Sequence, residues 1–345
     1  MVKLVHERLS EIGRSRLQSS VRDGLQDDKG LGPLATELRT SSQLIGQGFE
    51  VEFTDLEGRE RYDLLASNGK LEIEVDCKAP SGDVGRCIHK WRFRAFANDL
   101  MPSLRELAEC GEGHLVHVTI PGNLHGDREF ERKVVEETVR VVQGKIRGED
   151  EDPSTTVSVR TFEVADSPFK GKGPVPLDIV SEFLKNRFGL ENVNAICDWR
   201  PGRGAVIVSM QSIKKDHVVD GIYRQLKGSA EKQFSARRPA MLCVQLRAVT
   251  GPQLRELAKD PVNGLAAIAT RLFSGDKRGH LACVSFVSPS GTLTRTRSII
   301  AGGVLRTSHQ DIGAAYVFAN PRHPLGLDVD GVFRETAIPE ADFRP

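Results

Sequence analysis

The stretch Arg61–Pro80, "RYDLLASNGKLEIEVDCKAP", decides how this chain is read. It predicts two strands joined by a tight turn at Asn68-Gly69, the residue pair that two-residue hairpins favour. Along the second strand Leu71, Ile73, Val75 and Cys77 point one way, and Glu72, Glu74, Asp76 and Lys78 point the other. Such alternation ordinarily marks a half-buried strand with its polar face in water. Antiparallel pairing around Asn68-Gly69 also brings Asp63 close to Asp76 along the ladder, and two neighbouring carboxylates are unfavourable unless a cation lies between them. The alternatives are therefore a solvated edge and a charged pocket for a metal. Asp/Glu-x-Lys also occurs at Asp27–Lys29 and Glu131–Lys133, but only Asp76–Lys78 lies in a predicted strand, where residues two apart share a face.

Working outward, "LATELRTSSQLIGQG" before the hairpin has helical apolar spacing and ends in glycines, and "FEVEFTD" alternates as a strand. After the hairpin comes a helical stretch to about Cys110, then an apolar strand "GHLVHVTIP". The order is helix, three strands, helix, strand, which predicts an α/β core. "RGEDEDPSTT" is the best candidate boundary. The expected organisation is an N-terminal helical arm over 1–30, a core domain over 31–145 and a larger α/β C-terminal extension over 146–345.

Bulk properties narrow the function classes. The 345 residues carry a net charge of +1, so polyanion binding is not written into overall charge and needs a local basic patch. The six cysteines are scattered with no CxxC pair, which disfavours a zinc ribbon and fits a reducing, cytoplasmic setting. No apolar run approaches the roughly 18 residues needed to span a membrane. The P-loop, dinucleotide-fold and serine-hydrolase motifs are absent. His114 and His117, three apart on one strand, face opposite ways and make poor co-ligands.

The quoted segments resemble the PD-(D/E)XK nuclease superfamily, the restriction-endonuclease-like fold, over roughly residues 31 to 120. The resemblance matches Asp63 to that family's first acid, Asp76 to its second, Lys78 to its lysine and Glu37 to its helical glutamate. Tyr62 stands where the family often has proline. The resemblance implies Mg²⁺, with Mn²⁺ as a substitute, held by Asp63, Asp76 and Glu37, and Lys78 assisting the attacking water. Glu74, on the same face as Asp76, is a possible extra ligand. The implied activity is phosphodiester hydrolysis, DNA favoured and endonuclease favoured over exonuclease, with a possible homodimer. Arg86, Lys90, Arg92 and Arg94, interleaved with Trp91 and Phe93, are candidate nucleic-acid contacts. The rival expectation is a non-catalytic nucleic-acid-binding or regulatory protein that keeps the fold.

Overall fold

The structure, a computed structural model, describes residues 2–26, 30–124, 127–144, 155–171, 175–191, 193–247, 249, 251–260, 264–289, 298–300, 303–307 and 314–324. The chain begins with helices α1 (Val2–Arg8), α2 (Glu11–Gln26) and α3 (Gly32–Gly46), followed by strands β1 (Glu50–Phe53), β2 (Leu64–Ser67) and β3 (Glu72–Lys78). Next come α4 (Lys90–Leu100), β4 (Gly113–Ile120), α5 (Arg128–Val142), β5 (Thr156–Phe162), α6 (Leu177–Phe188), β6 (Asn194–Arg200) and β7 (Gly204–Ser212). The last stretch holds α7 (Val218–Lys232), β8 (Ala240–Gln245), α8 (Gly251–Lys259), α9 (Leu265–Phe273), β9 (Leu281–Val287), β10 (Ser298–Ile300), β11 (Gly303–Thr307) and β12 (Ala314–Ala319).

These elements form two compact units. One comprises residues 1–84 with 218–345, and the other residues 85–217. The first is built on a mixed eight-stranded sheet ordered β1-β2-β3-β8-β9-β12-β11-β10. Its first three strands are antiparallel, and β3 then runs parallel to β8, and β8 parallel to β9. The second is an α/β unit on a four-stranded sheet ordered β5-β4-β7-β6.

The hairpin forms, with its turn one residue later than Asn68-Gly69: the Asn68 amide donates to the Leu71 carbonyl at 3.1 Å, and Gly69 and Lys70 are the two central residues. Gly69 takes φ +77, and the Asn68 side chain accepts the Lys70 and Leu71 amides at 3.1 and 3.0 Å. Leu64 pairs with Val75, so Asp63, one residue before β2, falls opposite Asp76. On one face of β3, Ile73, Val75 and Cys77 join Leu34, Leu38 and Leu44 of α3 in a buried cluster. Each such aliphatic side chain contributes roughly 1.5–3 kcal/mol. Leu242 and Val244 of β8 belong to a second cluster with Ile222 and Leu226 of α7 and Ile268 and Leu272 of α9. β3 lies between β2 and β8 and is no edge strand, and on its charged face Glu74 and Asp76 are both 0% exposed, while Glu72 at its start is exposed. The solvated-edge alternative does not hold for this strand.

Three expectations are revised. The strand beside β3 is β8, preceded by α7; β4, taken as the fourth core strand, pairs with β5 and β7 in the other sheet. Both are short, fully buried apolar runs, and periodicity cannot say which one joins β3. The division expected near 145 falls within the unit 85–217, and "RGEDEDPSTT" lies outside the described residues except for Thr155 and Thr156. The N-terminal helix is broken before Ser10, whose hydroxyl accepts the Gly13 amide at 3.2 Å as an N-cap.

The unit 85–217 closes at its own neck. The His217 amide donates to the Gly85 carbonyl at 2.7 Å, and the Cys87 amide to Asp216 at 2.8 Å. Residues 85–217 expressed alone are expected to unfold in one cooperative transition in urea. A featureless, non-cooperative profile would show that the neck does not delimit a folding unit.

Candidate active site

Three parts of the first unit, α3, the β1–β2 connection and β3, carry the charged groups. Asp63 ends the β1–β2 turn, where the Thr54 amide donates to its carbonyl at 3.0 Å. Its Oδ2 accepts the Cys77 amide at 2.5 Å, so the first acid is tied to the β3 backbone between Asp76 and Lys78. The Lys78 ammonium donates to Asp76 Oδ1 at 2.8 Å and to the Cys77 carbonyl at 3.3 Å. Asp76 Oδ2 is buried and has no hydrogen-bond partner. A buried carboxylate oxygen left unpaired is costly, and such exceptions call for an explanation. Glu37 stands half-buried on α3, which starts with Pro33 in its first turn and packs Leu34, Leu38 and Leu44 inward.

Electrostatics bind these groups into one set. Burial, then Asp63, Asp55 and Asp76, push the Glu37 carboxyl up to about 9, against the pull of Lys78. Burial and then Asp76 push Asp63 up to about 7, although Lys78 and the Cys77 amide act in the opposite direction. Burial also raises Asp76 despite its contact with Lys78. Burial works to lower Lys78, but Asp76 and Asp63 outweigh it, so the ammonium keeps its proton more firmly than a free lysine.

Asp55 was missed from sequence. It is half-buried just after β1, raises Glu37, Asp63 and Asp76, and is itself raised, chiefly by burial. Its Oδ1 accepts the Leu56 amide at 2.6 Å, and Arg16 of α2 donates to its carbonyl at 2.7 Å. A signal existed: continuing the β1–β2 register beyond Phe53 opposite Leu64 carries Asp55 to the neighbourhood of Asp63.

Four carboxylates and one ammonium in partly buried surroundings must either hold protons or attract a cation. Among the described residues no group of three or more His, Cys, Asp or Glu side chains is arranged to hold a metal ion. Mg²⁺ needs only one or two carboxylates and keeps several waters. Asp63, just before β2, and Asp76 on β3, oxygen donors with one orphaned oxygen between them, satisfy that requirement.

The other expected residues have partners or positions of their own. Glu74, expected as a possible extra ligand, instead accepts the Ser235 amide at 2.8 Å and the Ser235 hydroxyl, with Arg238 at 3.7 Å. It shares a strand face with Asp76 but serves to fasten the loop before β8. Arg86, Lys90, Arg92 and Arg94 belong to the unit 85–217. Arg86 is 3.8 Å from Asp216, Arg92 is 3.4 Å from Glu131, and Lys90 and Arg94 are exposed. Phe93 is buried, whereas Trp91 is exposed. In that unit His114 contacts Cys110 at 2.9 Å and His117 contacts Ser209 at 2.8 Å, with no shared partner. No helix among the described residues is long and apolar enough to cross a membrane.

Comparison with family models, with curated proteins and with solved structures gives no match, so the reading of this site rests on its own geometry.

The raised carboxyls fix the sign of a pH effect. A group whose pKa is higher folded than unfolded stabilises the fold below its unfolded value and loses that contribution as pH rises through the folded value. In chelator, the melting temperature is therefore expected to fall between about pH 4 and pH 9, through the ranges of Asp63 and then Glu37. Glu37→Gln should flatten the upper part of that fall. A melting temperature rising over the same window would contradict the assignment.

Proposed function

We propose that this chain is a divalent-metal-dependent phosphodiesterase with a restriction-endonuclease-like core, acting on DNA, and cutting internally rather than from ends. The observation that carries the reading is the pair Asp63 and Asp76. They are held abreast by the Cys77 amide, with Asp76 Oδ2 unpartnered and Lys78 on the other oxygen. Asp63 and Asp76 would hold Mg²⁺, or Mn²⁺ in its place, with Glu37 joining directly or through water. The ion, when bound, supplies Lewis-acid polarisation of a phosphate oxygen and makes a water easier to deprotonate.

The protein's own groups do the rest. Lys78, kept protonated by its acidic neighbours, acts as a donor to charge developing on the phosphoryl oxygens or to the attacking water, not as a base. Glu37, which holds a proton at neutral pH in the metal-free site, would have to release it on loading. Asp55 adds negative field that favours a cation and opposes an empty, ionised site. The apolar cluster on one face of β3, formed by Ile73, Val75 and Cys77 with α3, holds the strand that carries both Asp76 and Lys78.

One observation favours the non-catalytic reading: no three ligand groups are arranged for a metal among the described residues. Cleavage of supercoiled plasmid, linear duplex and single-stranded DNA, with Mg²⁺, Mn²⁺ or chelator, separates the two. Metal-dependent cutting is expected, reduced about 100-fold or more in both Asp76→Ala and Lys78→Ala. Cutting unchanged in both variants, or binding without cutting under every condition, would overturn the proposal.

A second readout needs no turnover. Mg²⁺ at about 100 times its dissociation constant is expected to stabilise the wild-type fold by about 2.7 kcal/mol. Asp76→Asn should abolish that gain, and an equal gain in both proteins would place the ion elsewhere.

A further inference from the structure

The inserted unit carries a feature that bears on which form of nucleic acid the chain holds. Of the two tryptophans, Trp199 lies in β6 with its ring 6.1 Å from that of Phe169. Trp91, in the first turn of α4, is 51% exposed. It contributes little to the core, because Phe93, Phe96, Ala97 and Leu100 form the buried side of α4.

The indole is nonetheless held. The Arg92 guanidinium lies 4.1 Å from the ring centroid and is itself 3.4 Å from Glu131 of α5, which fixes it over one face of the ring. Lys90 precedes Trp91 and Arg94 follows it by three residues on the helix; both are exposed, and among the described residues neither makes an ion pair. Ala95 and Asn98 continue the exposed side of the helix with small, uncharged side chains. The helix carries three cations against the single acid Asp99.

A plate-like aromatic beside free cations matches a base beside its phosphates. Phosphate contact alone would need no exposed aromatic, and in a duplex the base faces are covered by their neighbours. A lipid surface would call for several apolar side chains on this face, where Trp91 is the only large one.

We propose that α4 is a single-strand binding element. Trp91 stacks on an unpaired base and Lys90 and Arg94 contact the adjoining phosphates, so that the substrate class of the chain is DNA with unpaired nucleotides. In naming a substrate class this rests on the nuclease reading, but the binding can be tested without cleavage.

The probe is a short oligothymidylate, end-labelled so that its anisotropy reports binding in every variant, titrated in chelator; in Trp199→Phe protein Trp91 is the sole tryptophan, and its emission is read alongside. Quenching of its fluorescence is expected. Trp91→Ala should weaken binding about tenfold or more, with Trp91→Phe partly restoring it. Lys90→Ala and Arg94→Ala should each reduce the salt slope by about 0.7. A blunt duplex of equal length should bind with no dependence on Trp91.

Absence of quenching, affinity unchanged in Trp91→Ala, or an equal Trp91 dependence for duplex would overturn the inference. The two readings fail separately. Quenching without cutting under any metal removes the hydrolysis and leaves the binding element. Metal-dependent cutting with a silent Trp91 does the reverse.

Discussion

The hydrogen bond from the Cys77 amide to Asp63 is the constraint on which the site depends. It joins the turn before β2 to the one strand that carries both Asp76 and Lys78, and so sets the two acids abreast. Buried carboxylates lose several kcal/mol of hydration each, and one ammonium neutralises only one of them. The strain shows as raised carboxyls at Glu37, Asp55, Asp63 and Asp76. A fold optimised for stability alone would replace such a set with apolar side chains of similar volume. Retaining it makes sense if the set is completed by a cation.

The surroundings keep that arrangement rigid. β3 is an interior strand, packed by α3 on one face, and it contributes to neither edge of the sheet. Glu74, also fully buried, meets its own need locally through Ser235 and Arg238, and so does not compete for the ion proposed at Asp76. The same strand face thus divides into a structural tie at one end and a charged cluster at the other.

How much of this was legible in the sequence follows from the range of each interaction. The hairpin was legible from Asn68-Gly69, but its exact register was not: a two-residue turn at that pair would set Asp63 opposite Glu74, whereas the turn at Gly69-Lys70 sets it opposite Asp76. Glu37 was legible from helical spacing before the first strand. The neighbour of β3 was not, because β8 lies more than 160 residues on and its apolar pattern matches that of β4. For the same reason the inserted unit read as a continuation of the core. Asp55 went unread because it sits in a turn, where no period assigns a face and only the β1–β2 register points to its neighbourhood with Asp63.

The account turns on whether a cation completes the pair formed by Asp63, just before β2, and Asp76 on β3. Anomalous diffraction from crystals of the protein grown with Mn²⁺ addresses that directly. The account predicts one strong peak within coordination distance of Asp63 and of Asp76 Oδ2, with Lys78 shifted from its contact with Asp76 or retained on Oδ1. A peak confined to other residues, or an ion-free cluster at saturating Mn²⁺ with Lys78 still the sole partner of Asp76, would contradict it.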